Sequence, residues 1–305
     1  MMCSSINVAS SAPTDVITKI ATELSHPTSS WRRNLISMSH VCKSWREAVI
    51  RYPLLWNTIH NESEMVTRMC LKRSKSLPLA VSLSKVGHWS IHTGRLIGSQ
   101  VGRFEELYLG GSLSSCQSVS KILSFLIPGE DPLLLRKLKL VGGKFDDIPR
   151  THNLGYPILS KDIPTLRKLE LSSFPLTQIS RFRHLIELHV RYPGPTSAHS
   201  LLDLLANNPG PQRVGIIGLS NDRDSLREDL SIALPHLHNF YVDDCEAVDI
   251  LRCLHLPRLE PLVISIKFSF MDVDLSRAYQ PYSVIQLALD FNCAKSTSTS
   301  TQNSI

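Results

Sequence analysis

Apolar residues recur at steps of three and four through Met38, Val41, Cys42, Trp45, Ala48 and Val49, which lines them along one side of an α-helix. Lys43, Ser44, Arg46 and Glu47 fall on the other side. Pro53 lacks a backbone N–H and biases Tyr52 away from helical geometry, so this helix is expected to stop there. The turn beyond carries Leu54, Leu55 and Trp56, with Trp56 placed to fold back as a lid. Upstream, Val16, Ile17, Ile20, Ala21 and Leu24 fit the same period, with Pro13 opening the helix, Thr14 as N-cap and Pro27 past the end. A linking helix is expected over 62–75, with Asn61 as N-cap, Glu64 in the capping-box position and Met65, Val66 and Met69 inward.

From residue 77 the period changes. Leu77 to Leu83 alternates as a first strand does, and 89–101 reads as a helix. An apolar-x-x-apolar-x-apolar string then returns seven times, as FEELYL from Phe104, LRKLKL from Leu135, LRKLEL from Leu166, LIELHV from Leu185, VGIIGL from Val214, LHNFYV from Leu237 and LEPLVI from Leu259. Successive starts lie 31, 31, 19, 29, 23 and 22 residues apart, mostly near the leucine-rich range. The copy at Leu237 extends to Cys245, completing an L-x-x-L-x-L-x-x-C form. Each unit is a strand that cannot hide its apolar face unless neighbours stack against it. Ala198 to Ala206 and Ala247 to Leu254 read as intervening helices, and alternation of strand and helix requires right-handed parallel crossovers. The competing reading is an ordinary α/β sandwich in which short leucine strings recur by chance. The Gly-, Asp- and Pro-rich gap between Leu140 and Leu166 is expected to be an extended loop or a degenerate repeat, and the Ser/Thr tail from Lys295 to be disordered.

The V-C-K-x-W string at Val41 to Trp45, followed by P-L-L-W at Pro53 to Trp56, resembles the second half of an F-box, and the helix opening at Pro13 resembles its first helix. The likeness spans 13–60, about a sixth of the chain, and departs from the usual Leu-Pro-x-Glu opening at Ala12 and Asp15. The strings beyond residue 104 are similar to irregular leucine-rich repeats, the usual partner of an amino-terminal F-box. Together these imply an α/β chain made of a small N-terminal three-helix F-box-like module and an irregular leucine-rich-repeat solenoid. The expected boundaries are a disordered 1–12, the F-box-like domain at 13–60, a linker helix at 61–76, the solenoid at 77–292 and a disordered tail at 293–305.

The resemblance implies a Skp-type adaptor and cullin ligase scaffold as partners, met through Pro13, Val16, Ile20, Leu24, Leu35, Val41, Cys42 and Trp45. It also implies an unknown protein substrate held by the repeats. Residues alternating with the leucines point out along the concave sheet. The expected central stripe is Tyr108, Lys139, Glu170, His189, Gly218, Tyr241 and Val263, flanked by Lys137, Lys168, Glu187, Arg191 and Asn239. Tyrosine and arginine are the residue types that tend to anchor protein partners. The alternative is a non-catalytic repeat interaction protein whose F-box-like segment serves only as an amino-terminal cap.

Composition narrows the field. The chain has 305 residues, 42% apolar and 20% charged, and no stretch approaches the ~18 apolar residues that span a bilayer. The first twelve residues carry neither a basic region nor an apolar core, so a secretory signal is not expected. Seven cysteines at irregular spacing do not form a disulfide framework, which suits the cytoplasm or nucleus. The net charge of +6 is spread over 33 basic and 27 acidic groups without a dense basic run, so no nucleic acid is expected as partner.

No phosphate-binding, dinucleotide-binding or nucleophile-elbow motif occurs, and no enzyme activity or cofactor is expected. Cys245, Cys253 and His255 do not match a standard zinc spacing. The carboxylate pairs Asp146-Asp147 and Asp243-Asp244 are expected to be solvated, and His236 and His238 are the only close histidine pair.

Overall fold

In the computed structural model, residues 12–24, 31–60, 62–83, 91–110, 134–141, 163–173, 182–191, 198–218, 231–243, 250, 253–255, 262–268 and 285–291 are described. Several expectations fall outside these residues: the N-terminus to residue 11, the Ser/Thr tail, most of the 140–166 gap, most of the 247–254 helix, Asn61 as a cap, Asp146-Asp147, Asp244 and Cys245.

Three short helices come first: α1 (Thr14–Leu24), α2 (Trp31–Ser39) and α3 (Lys43–Arg51). Each packs against the other two. Their shared core is Ile17 and Ala21 from α1, Trp31, Leu35 and Met38 from α2, and Ala48 and Val49 from α3, all at helical spacing. Thr14 is the first helical residue and not the cap, because the first bond of the helix runs from the Ile17 N–H to the Pro13 carbonyl. The apolar run from Met38 to Val49 is likewise not one helix. It breaks at His40–Val41, and Cys42 stands extended as the residue before α3. A three-four spacing can be met across a tight turn as well as along a helix, so the pattern does not register the break. Arg46 closes the corner by donating from Nε to the Ser39 carbonyl at 2.9 Å.

Tyr52 is extended and a 3-10 turn, Pro53–Trp56, follows with Pro53 in its first position, as the proline requires. The turn returns Trp56 to α3, and the two-residue strand β1 (Thr58–Ile59) leads on to α4 (Glu64–Arg73). Ser63, not Asn61, caps α4, its hydroxyl accepting from the Val66 N–H. This places Glu64 at the first helical position and turns Thr67 and Cys70 inward, while Met65 stands 82% exposed and Val66 and Met69 are half-buried. Then come β2 (Leu79–Leu83), α5 (Ile91–Gly98), a 3-10 turn at Val101–Arg103 and β3 (Phe104–Leu109). β1, β2 and β3 are neighbouring parallel strands, and β2 buries alternate residues as expected. Arg103 ties this region together, reaching the Leu77 carbonyl at 2.8 Å and the Ser74 hydroxyl at 2.9 Å.

The chain divides into two compact units, Met1–Leu113 with Lys121–Leu135, and Ser114–Ser120 with Arg136–Ile305. The second holds β4 (Lys137–Val141), β5 (Lys168–Ser172), β6 (Glu187–Arg191), α6 (Ala198–Ala206), β7 (Arg213–Ile217), β8 (Ile232–Ala233), β9 (Asn239–Asp243), β10 (Leu254–His255), β11 (Leu262–Phe268) and β12 (Ile285–Phe291). β4, β5, β6, β7, β9, β11 and β12 follow one another as a parallel sheet, and β8 pairs with β10, also in parallel. The protein is therefore α/β with a mostly parallel sheet and, among the described residues, no closed barrel.

Each of the seven leucine strings runs into a strand, and on the six beyond β3 the apolar positions of the strands align. Leu138, Leu169, Leu188, Val214, Phe240 and Ile264 are opposite one another, as are Leu140, Leu171, Val190, Ile216, Val242 and Ile266. The same backbone step also recurs. The Arg136 carbonyl accepts from the N–H groups of Arg167 and Lys168, Arg167 from Ile186 and Glu187, Ile186 from Gln212 and Arg213, and Gln212 from His238 and Asn239, all within 2.7 to 3.1 Å. This register shifts two of the strings. The fifth runs Pro211, Val214, Ile216, and the seventh passes through Ile264 and Ile266. On β12, Leu287 and Leu289 stand opposite Ile264 and Ile266 and continue the pattern.

Candidate functional site

The first candidate surface lies on the helical bundle. At about 100° per residue, Val16, Ile20 and Leu24 form a line on α1 beside the core pair Ile17 and Ala21, so the apolar arc is wider than the bundle covers. Val16 is 45%, Ile20 38% and Leu24 43% exposed, and Val41, in the turn between α2 and α3, is 50% exposed. Pro13 is exposed; Cys42 and Trp45 are half-buried. Leu35 is different. At 1% exposure it belongs to the bundle core and presents nothing to a partner, because the α2 face that carries Trp31 and Met38 also carries Leu35.

The surface is braced from behind. Trp56 is buried and its indole N–H donates to the Val49 carbonyl at 2.9 Å. The Arg73 guanidinium lies 4.4 Å over the Trp56 ring. Arg32 stacks on Trp31 at 3.6 Å, meets Glu62 at 2.6 Å and donates to the Thr58 carbonyl at 2.7 Å, linking α2 to the chain leaving the turn. His60 sits edge-on to Trp31, and burial holds its imidazole below the ordinary histidine range. Burial also pushes the Cys70 thiol up to about 12, so it is an inert core group. The Cys42 thiol is held low by its hydrogen bond with Ser44, at 3.1 Å, and by the Trp45 backbone. A cleft of about 250 Å³ between α1 and α3 is lined by hydroxyl and charged groups, including Thr14, Thr18, Glu47 and Arg51. It lies on the polar side of α1, away from Val16, Ile20 and Leu24.

The second candidate surface is the solvent side of β4 to β9. Its central row is Lys139, Glu170, His189, Gly215 and Tyr241 by strand register, and the backbone register continues the row to Ser265 of β11. Two expected members are thereby corrected. Gly218 lies past β7 at φ 63°, the left-handed region that takes the chain out of the strand, and Gly215 stands in the row. Val263 gives its place to Ser265, since the seventh string is two residues further on than its leucines suggest. Tyr108 belongs to β3 in the first unit, and its ring folds over Gly110: a Cβ there would come within 2.5 Å of the hydroxyl. In the neighbouring row Lys137, Lys168, Glu187, Arg213 and Asn239 are aligned, so Arg213 replaces Arg191, which stands near the other strand ends opposite Ser172 and Ile217.

Ion pairs cross this face as an alternating ladder. Lys139 meets Glu170 at 2.7 Å, Glu170 meets Lys168 at 3.0 Å, Lys168 meets Glu187 at 3.1 Å, and Glu187 meets Arg213 at 2.8 Å. Partial burial pushes the Glu170 carboxyl up, but hydrogen bonds from Lys139 and Lys168 outweigh it and hold the group below the ordinary range. His189 lies against Gly215, with its Nδ1 2.6 Å from where a Cβ on that glycine would be. Burial lowers its pKa, which favours the neutral ring.

His236, His238 and His255 are exposed, while Cys253 is buried. Among the described residues no three His, Cys, Asp or Glu side chains converge as metal ligands, and no helix is long and apolar enough to cross a membrane. No protein-family model matches the chain, and no curated protein matches it.

Proposed function

We propose that this protein is the substrate-recognition subunit of a cullin-type (SCF) ubiquitin ligase, with 13–60 as a three-helix F-box-like module and the strands from residue 77 onward as an irregular leucine-rich-repeat solenoid. The module docks a Skp-type adaptor, the repeats hold a target protein, and the work takes place in the cytoplasm or nucleus. The observation that carries this reading is the exposed apolar line Val16, Ile20 and Leu24, joined by Val41, on a bundle whose core is already closed by other residues. Burying the exposed halves of four such side chains contributes on the order of 4 kcal/mol before the costs of association, enough to matter and worth little without a partner. The recurring carbonyl step from Arg136 to Gln212 supports the repeat reading. The protein performs no bond chemistry in this scheme. It raises the local concentration of target lysines beside the ubiquitin-carrying enzyme.

A second reading is favoured by the bonds of Arg32 to Thr58 and Glu62. They fasten the bundle to the strand that precedes β2, as an amino-terminal cap would be fastened, and on this reading the chain is an interaction protein without an adaptor. Recovery of a Skp-type adaptor with the full-length protein, and its loss when Ile20 and Val41 are made acidic, separates the two.

A further inference from the structure

From Met65 to Phe104 the chain carries seven arginines and lysines and no aspartate or glutamate. The structure gathers four of these cations at one place. Lys72 and Arg73 end α4, Lys75 follows in the turn before β2, and Arg103, from the link between α5 and β3, reaches back to that turn. The Arg103 guanidinium donates to the Leu77 carbonyl at 2.8 Å, to the Ser74 hydroxyl at 2.9 Å and to Gln100 Oε1 at 2.9 Å. Each of these acceptors is neutral. Arg73 is held by another uncharged group, the Trp56 ring. Burial lowers the pKa of both guanidinium groups, and no carboxylate acts against it. Lys72 and Lys75 are exposed, and among the described residues neither they nor the two arginines pair with a carboxylate.

Helix dipoles account for only part of this charge. The C-terminal end of a helix carries about half a negative charge, so α4 and α5 together offset about one of the four cations and leave a surplus of about three. The form of the cluster selects its partner. It occupies one turn and the link that touches it, which makes a spot of charge and not a track. A single-stranded nucleic acid is bound along a track with aromatic rings to stack on, and neither α4 nor α5 contains Phe, Tyr or Trp. An anionic membrane surface is bound by cations with apolar groups among them, but Met65, the exposed apolar residue of α4, stands about 10 Å along the helix from Lys72. A few adjacent carboxylates match a compact spot. We propose that the turn between α4 and β2 receives a short acidic run of a protein partner, its carboxylates bound by Lys72 and Lys75 in the field of Arg73 and Arg103. This contact uses neither the α1 line nor the ladder, so it stands apart from the adaptor and target readings.

The test is fluorescence anisotropy of labelled probes titrated with the full-length protein. The probes are a Gly/Ser peptide with five adjacent glutamates, the same peptide with glutamine in their place, and hexathymidylate, whose five phosphates equal the peptide in number of charges. The glutamate peptide is expected to bind at least tenfold more tightly than the glutamine peptide and threefold more tightly than hexathymidylate, and to weaken as salt is raised. Lys72→Gln with Lys75→Gln should weaken it at least fivefold. Lys19→Gln with Lys43→Gln, which removes two other exposed lysines of the same unit, should leave it within twofold. All four lysines are exposed, so both variants should keep the wild-type helical circular dichroism. Equal affinity for the two peptides, tighter binding of hexathymidylate, or equal weakening by the two pairs of substitutions would overturn the proposal. Co-sedimentation with phosphatidylserine vesicles that is lost in the Lys72, Lys75 variant, without binding of the glutamate peptide, would overturn it in favour of a membrane surface. Adaptor capture is read separately and is unaffected by any of these outcomes.

Discussion

The indole N–H of Trp56 donates to the carbonyl oxygen of Val49 across the turn that Pro53 imposes, at 2.9 Å and in a buried setting. Val49 lies in the last turn of α3, where helix carbonyls lack intrahelical partners, so the side chain both fills the core and satisfies the backbone.

Removing the two contributions separately should give different results. Trp56→Ala leaves a large cavity and an unmatched carbonyl and is expected to destabilise the first unit by about 3–5 kcal/mol. Trp56→Phe keeps most of the packing and loses the hydrogen bond, for about 1 kcal/mol. Denaturant unfolding followed by circular dichroism measures both. Equal losses would show that the ring volume, and not its N–H, is irrelevant to the cost.

Gly215→Ala brings a methyl group to the space taken by the His189 ring. The glycine is not in the left-handed region, so alanine there gains about 0.4–1 kcal/mol from the unfolded state, and displacement of the ring costs a similar amount. Stability should therefore change little. The titration of the histidine should change: released from its half-buried position, the ring is expected to titrate closer to the ordinary value, read by NMR of the imidazole protons. An unmoved titration would mean that the glycine does not set the position of His189.

Legibility in the sequence followed the range of the interaction. The strands could be read because one string carries both the strand and its inward face, and Leu138, Leu169 and Leu188 are buried as that string requires. The register of the fifth and seventh copies could not be read, because an isoleucine-valine run offers several frames and only the strand pairing chooses between Gly215 and Gly218. On the helical bundle the outward line of α1 was legible, but the burial of Leu35 was not, because it depends on how α2 rolls against its neighbours. Arg32 and Arg103 gave no signal at all. Their partners are 26 to 30 residues away, beyond any periodicity.

Two half-buried histidines set the pH dependence. His60 and His189 both have folded-state values below 6.5, so the unfolded chain binds protons more readily than the folded one. Stability contributed by their neutral forms is present above that range and is lost as pH falls from 6.5 to the folded-state values. Around His189 the charges of Glu170, Lys168, Glu187 and Arg191 modify the shift without reversing it. Glu170, whose value lies below 4.5, adds a second decline as pH falls through it. Thermal unfolding across pH 4 to 7.5 should show the first decline in the wild type and a shallower one in the His60→Gln, His189→Gln double variant. Identical slopes would show that these groups are not the source.

The central claim, that the exposed apolar line on α1 is an adaptor contact, is tested most directly by affinity capture of a purified Skp-type adaptor on the full-length protein, beside Ile20→Asp with Val41→Asp. Ile20 and Val41 are 38% and 50% exposed, so both proteins should give the same helical circular dichroism. The account predicts capture by the wild type and loss of at least tenfold in the variant. No capture by the wild type, under conditions where an established F-box protein captures the adaptor, or equal capture by both, would contradict it.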